Sequence, residues 1–112
     1  MHRGELWWAA LDEPSGAEPG YRRPVLIVSS NDFNQSKIKT VIVAIITSNL
    51  RLAEAPGNFQ ISKKESGLTK ESVVNVSQIL TLDKSFLSKK IGELPAKKLI
   101  PLNEGLRLVL SI

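Results

Sequence analysis

The chain has 112 residues, a net charge of +4 from 15 basic and 11 acidic side chains, one histidine and no cysteine. That length supports a single domain, residues 1–112, with one core, and 42% hydrophobic with 23% charged residues is ordinary for a soluble globular protein. Without cysteine there are no disulfides, thiolate nucleophiles or cysteine-held zinc, which fits a cytoplasmic protein, and no apolar run exceeds six residues, as at 41–46, far short of a membrane span.

Taken in chain order, Met1-His2-Arg3-Gly4-Glu5 turns acidic where a signal peptide needs an apolar segment. Residues 5–11 mix tryptophans and alanines and predict a first strand, with Trp7 and Trp8 on opposite faces. Residues 12–20 read as loop, since two prolines and two glycines fall in nine positions. Arg22-Arg23-Pro24 then opens a stiff apolar strand, Val25-Leu26-Ile27-Val28, and a second, Val41-Ile42-Val43-Ala44-Ile45-Ile46, ends at Thr47-Ser48. The polar segment between them predicts a short helical turn capped by Ser30 or Asn31.

Residues 49–58 read as a second loop around Pro56-Gly57, Phe59-Gln60-Ile61 as a short strand, and Ser66-Gly67-Leu68-Thr69 as a turn. Residues 72–79 are rich in β-branched side chains and predict another strand. Residues 82–88 suit a short helix started by Asp83, and residues 90–94 a last short strand. Leu99, Leu102, Leu106 and Val109-Leu110 recur at helical spacing, so the tail is a helix packed on the sheet. Pro101 lacks an amide donor and predicts a break there, or a helix that begins at it; Gly105 weakens the helix further. The expected fold is mainly β with a C-terminal helix, a small and strongly bent antiparallel sheet or barrel.

If the two stiff strands pair antiparallel with Ser29 facing Val41, Arg23 falls opposite Thr47. A permanently charged guanidinium beside a hydroxyl at the end of a rigid sheet makes an anion site, and in a basic protein a phosphodiester is the natural anion. Elimination narrows the chemistry. His2 is the lone histidine and sits in the terminal tail, which excludes two-histidine acid–base catalysis and a Ser-His-Asp triad. The acidic residues are scattered without the paired carboxylates that hold Mg²⁺, and no phosphate-cradling glycine loop is present, so neither a metal nor another cofactor is expected.

What remains is chemistry that needs positioning and charge stabilisation. RNA carries its own nucleophile, the 2′-hydroxyl, beside each phosphate. Arg23 can present two parallel donors to phosphate oxygens, and the following Pro24 biases it toward extended backbone. Thr47 would hold a phosphate oxygen or orient the hydroxyl, and Glu18, in the loop before, is a candidate base. Each feature also has a plain structural reading: Arg-Pro as an edge-strand opening, Thr47 as a strand end, Ser77-Gln78 as an outward-facing strand end, and the lysine pairs as solvated surface.

Several segments together resemble the MazF/PemK (Kid) toxins of bacterial toxin–antitoxin modules. They are Arg3-Gly4-Glu5-Leu6-Trp7, Arg23-Pro24-Val25-Leu26, Ile46-Thr47-Ser48, Glu71-Ser72-Val73-Val74, Gln78-Ile79, Thr81-Leu82-Asp83-Lys84, Lys90-Ile91-Gly92-Glu93-Leu94 and Leu106-Arg107-Leu108-Val109-Leu110. The resemblance implies an SH3-like bent barrel, a homodimer, and a metal-independent endoribonuclease that cuts single-stranded mRNA at short sequences, leaving 2′,3′-cyclic phosphate and 5′-hydroxyl ends. It places the catalytic arginine on Arg23 and the catalytic threonine on Thr47. Glu18, Tyr21, Arg22, Ser48, Ser77 and Gln78 are the RNA-binding candidates that accompany them. The implied partner besides RNA is an acidic antitoxin that blocks the RNA groove. In the first loop Ala17-Glu18-Pro19 stands where many members carry Ser-Glu-Gln, and Leu80 stands where an arginine is common.

Two other classes fit the same architecture. A gyrase poison of this fold would end in Trp-Gly-Ile, whereas this chain ends Leu110-Ser111-Ile112. A non-catalytic RNA-binding barrel would offer exposed aromatics for stacking, and here Tyr21 and Phe33 are the loop candidates.

Overall fold

The fold is built on one open antiparallel sheet, seen in a computed structural model that describes residues 1–12 and 21–112. Its strands are β1 (Glu5–Asp12), β2 (Tyr21–Ile27), β3 (Thr40–Thr47), β4 (Phe59–Ile61), β5 (Ser72–Asp83) and β6 (Leu87–Glu93), in the spatial order β4-β5-β3-β2-β1-β6. Three helices accompany them: α1 (Asn31–Gln35), α2 (Lys63–Ser66) and α3 (Ala96–Leu110). Single 3₁₀ turns occupy Leu50–Glu54 and Lys84–Phe86. None of the helices among the described residues is long and apolar enough to cross a membrane.

The near-continuous apolar runs of β2 and β3 have a direct cause: both faces of the sheet are covered, so successive residues serve different cores. Leu26, Ala44 and Ile46 pack with Leu6, Val74, Leu102 and Leu106 on one face. Val25, Ile27, Val43 and Ile45 pack with Ala9, Leu82 and Leu87 on the other. The sheet curls into a half-barrel, and irregular pairing supplies the bend. On β5 the register against β3 jumps: Ala44 faces Ile79 while Ile45 faces Asn75. Val76, Ser77 and Gln78 are thereby left without β3 partners. Asn58 compensates for this, because its Oδ1 accepts from the Val76 amide at 2.9 Å and its Nδ2 donates to Asn75 Oδ1 at 3.2 Å.

Several expectations are corrected. The strand expected over residues 72–79 runs on to Asp83, and the last strand begins at Leu87. The helix expected over residues 82–88 contracts to the turn Lys84–Phe86, with Asp83 capping it by accepting from the Ser85 amide. The turn expected at residues 66–69 is the end of α2, which a reciprocal cap between Ser62 and Glu65 starts. Gly67 ends it in the left-handed region at φ 82°.

Pro101 does not interrupt α3, which is helical from Ala96 to Leu110. An interior proline costs about 3 kcal/mol. Leu102 is fully buried and Leu106 nearly so, with Leu99 beside them. Each buried leucine contributes about 1.5–3 kcal/mol, so the buried stripe outweighs the ring. Gly105 is not a weak point but a contact: a β carbon there would lie 2.3 Å from the Gly57 carbonyl oxygen. Its lack of a side chain lets α3 lie directly on the Pro56-Gly57 turn.

Candidate nucleic-acid interface

Arg23 and Thr47 sit on the two central strands. The pairing Val25↔Ile45, Leu26↔Ala44 and Ile27↔Val43, continued by two residues, sets Arg23 opposite Thr47 on one face of the sheet. In the other direction the ladder loosens, because the Val28 and Ser29 amides both donate to the Ile42 carbonyl, at 2.9 and 3.2 Å. The half-buried Arg23 side chain bends toward the end of β3, where its Nη2 donates to the Ile46 carbonyl at 3.3 Å. Thr47 Oγ1 accepts from the Asn49 amide at 3.1 Å, which fixes the hydroxyl at the start of the turn.

A groove of about 530 Å³ opens over this pair. Arg22, Arg23 and Pro24 from β2 line it, with Ile46, Thr47 and Ser48 from the end of β3. The stretch from Gly67 through Lys70, with Ser72, supplies further lining, as do Trp8 and Ile91. That stretch reaches the groove because α2 packs on β6. A β carbon on Gly67 would lie 2.8 Å from the Ile91 carbonyl, and one on Gly92 would lie 2.5 Å from the Ser66 carbonyl. α2 thus bridges the gap that the curl of the sheet leaves between β5 and β6.

The groove is electropositive. Among the described residues its lining carries Arg22, Arg23 and Lys70 and no carboxylate. The Arg22 guanidinium lies over the Trp8 ring, 5.3 Å from its centroid. Also among the described residues, no three histidine, aspartate or glutamate side chains converge as a metal-binding group.

Arg22, Arg23, Thr47 and Ser48 therefore meet in one groove, as the sequence led us to expect. Ser77 and Gln78 do not join them. Both are exposed on the β5 bulge, where Ser77 donates to Asn75 Oδ1 and Gln78 Oε1 accepts from Asn75 Nδ2 at 3.0 Å. Glu18 lies outside the described residues, and Tyr21 enters only through its backbone, as the first residue of β2 opposite Asp12. Trp8, Thr69, Lys70 and Ile91 were not singled out from the sequence. For Trp8 a signal existed, since alternation on β1 lets only one of two adjacent tryptophans face a given core, and Trp7 packs with the Ala9–Val25 cluster.

Residues 2–110 match the model of the family described as the PemK-like, MazF-like toxin of type II toxin-antitoxin system. This chain belongs to the PemK/MazF toxin family. Among PemK/MazF relatives, Endoribonuclease MazF6 of Mycobacterium tuberculosis is 46% identical over 112 residues, spanning all of this chain and 98% of its own. Endoribonuclease MazF of Staphylococcus saprophyticus is 38% identical over 112 residues, spanning 100% and 92%. A solved mycobacterial endoribonuclease in complex with its cognate antitoxin superimposes with a TM-score of 0.81 at 26% identity, covering 100% of this chain and 96% of that one. The Mycobacterium tuberculosis toxin MazF-mt6 does so with a TM-score of 0.79 at 25% identity, covering 96% and 97%. The curled sheet with its C-terminal helix is thus the PemK/MazF architecture.

Proposed function

We propose that this chain is the toxin of a type II toxin–antitoxin module and acts in the cytoplasm as a metal-independent, sequence-selective endoribonuclease on single-stranded mRNA. The observation that carries this reading is the juxtaposition of Arg23 and Thr47 in an electropositive groove without a carboxylate among its described lining. Such a groove attracts the phosphate backbone through charge and holds a phosphate at a fixed point of a rigid sheet.

In the proposed reaction the RNA's own 2′-hydroxyl attacks the adjacent phosphorus and the bond to the 5′-oxygen breaks. The 2′-oxygen loses its proton to a base, for which Glu18 is the sequence candidate, and the departing 5′-oxygen takes one up from solvent. The products are a 2′,3′-cyclic phosphate and a 5′-hydroxyl. Arg23 stabilises the charge that grows on the non-bridging oxygens, and its fork geometry suits two oxygens at once. Thr47 orients a phosphate oxygen or the attacking hydroxyl, with Ser48 and Arg22 along the RNA path. Tyr21 belongs to the same path by sequence, and Ser77 and Gln78 to a more distant part of it.

The partners proposed are single-stranded RNA, a second copy of the chain as a homodimer, and an acidic antitoxin. The mycobacterial neighbour in complex with its cognate antitoxin supports the last of these. The decisive experiment incubates the purified protein with a random-sequence RNA library in EDTA and maps the fragment ends. Discrete fragments with cyclic-phosphate ends, absent with Arg23→Ala, are expected. A library that stays intact with the wild-type protein would overturn the reading, and binding without cleavage would favour a non-catalytic RNA module.

A further inference from the structure

Two adjacent tryptophans on β1 have separate duties. Trp7 serves the fold, packing with the Ala9–Val25 cluster and donating its indole N–H to Glu5 Oε1 at 3.0 Å. Trp8 belongs to neither buried cluster and instead lines the groove, half-buried, with the Arg22 guanidinium against its ring. A large aromatic surface that no core uses, exposed to an RNA groove and covered by a planar cation, is chemistry suited to a nucleobase. Every base has a π face that stacks on indole and guanidinium planes, and differences in stacking strength give such a plate a modest preference among bases.

Its place relative to the reaction is set by the register. Trp8 is opposite Pro24, the residue after Arg23. The two backbones are about 6 Å apart there; strand alternation starts the Trp8 and Arg23 side chains from opposite faces of the sheet, and the groove that both of them line brings the ring beside the phosphate that Arg23 would hold. We propose that Trp8, with Arg22 laid against it, is a stacking plate that selects the nucleobase next to the scissile phosphate. This rests on the endoribonuclease reading above and adds to it a specificity-determining residue.

The test digests the random-sequence RNA library with the wild type, Trp8→Phe, Trp8→Leu and Arg22→Ala, and compares cleavage rates and the base frequencies around each cut. Trp8→Phe keeps a stacking face and is expected to retain the wild-type base preference. Trp8→Leu fills the groove without a π face. It should slow cleavage roughly ten- to a hundred-fold and flatten the base preference at one position beside the cut, leaving other positions and the fragment ends unchanged. Arg22→Ala should flatten the same position to a smaller degree. Circular dichroism melts establish that each variant is folded, and should Trp8→Leu fail to fold, Trp8→His replaces it with a smaller ring that should partly restore the preference. Wild-type base frequencies in folded Trp8→Leu and Arg22→Ala would overturn the plate while leaving the nuclease standing. An intact library with the wild-type protein would instead remove the nuclease reading, and the plate with it.

Discussion

Gly105 of α3 and Gly57 of the loop before β4 meet backbone to backbone, so closely that a β carbon on Gly105 would lie 2.3 Å from the Gly57 carbonyl oxygen. On Gly57 the corresponding atom would meet Val76 Cγ2 at 2.9 Å, and its φ is 84°. Gly105→Ala should raise helix propensity yet destabilise the protein, because backbone on both sides must part. The expected loss is about 1–3 kcal/mol in urea unfolding, typical of overpacking. A gain in stability would mean that the Pro56-Gly57 turn yields freely.

The Arg23 guanidinium is the centre of the proposed chemistry, and its removal tests a role rather than a packing contact. Arg23→Ala should lower RNA cleavage by roughly a hundred-fold or more while the melting temperature changes little. Arg23→Lys should also be severely impaired, since an ammonium cannot present two parallel donors. Substantial cleavage by the lysine variant would reduce the role of Arg23 to that of a point charge.

Beside the proposed role of Thr47 in cleavage stands a structural one that a simple alanine substitution would confuse with it, because its hydroxyl oxygen holds the Asn49 amide. Thr47→Ala is expected to lose about 3 kcal/mol of transition-state stabilisation, the value of one well-placed donor. Thr47→Ser retains both the turn contact and the hydroxyl, and should recover most of the cleavage rate. Equal losses in the two variants would assign the methyl group, and not the oxygen, as the important part.

Glu5 gives a pH dependence whose sign is fixed. Burial raises its carboxyl pKa, but hydrogen bonds from the Trp7 indole, the His2 backbone and Lys90, with the Lys90 charge, more than reverse this and hold it below the usual carboxylate value. The Lys90 ammonium stands 3.1 Å from Oε2. The unfolded chain therefore binds this proton more readily than the folded one, and the associated stability is complete above the unfolded carboxylate value. It disappears as pH falls through the folded value. Chemical unfolding from pH 6 to pH 3 should show wild type losing more stability than Glu5→Gln; parallel curves would deny Glu5 this role.

The β5 bulge depends on one side chain from another loop. Asn58 donates to the Leu52 carbonyl and to Asn75, and accepts from the Val76 amide. Asn58→Ala leaves buried polar groups without partners and should cost about 2–4 kcal/mol, given 1–3 kcal/mol for each unsatisfied group. A loss below 1 kcal/mol would mean that water replaces the amide.

The central strands were legible in the sequence because both of their faces are apolar. The register that sets Arg23 opposite Thr47 could only be assumed there, since a strand apolar on both faces does not pin its own register, and it is the ladder that supplies it. The groove's other lining was not legible, since Trp8, Lys70 and Ile91 come together only through the bridge of α2 to β6. The bulge was equally hidden, because the partner that stabilises it, Asn58, lies in a different loop. Ser62 and Glu65 did carry a helix-starting pattern at the right spacing, which the reading as a simple turn overlooked. Pro101 misled for a different reason: a local penalty was judged without the burial of Leu102 and Leu106 that offsets it.

Order of synthesis gives the groove a further property. Its lining is gathered from Trp8, from both central strands, from the segment after α2 and from Ile91 on β6. A chain emerging from the ribosome exposes Arg23 and Thr47 while the residues that complete the groove are still unmade. Folding of a small domain is cooperative, so the pair is held in place only after β6 and α3 have been released. On the proposed function, the nascent protein would thus carry Arg23 and Thr47 through most of translation in an unassembled state, and the message being read would be spared until the polypeptide is nearly finished.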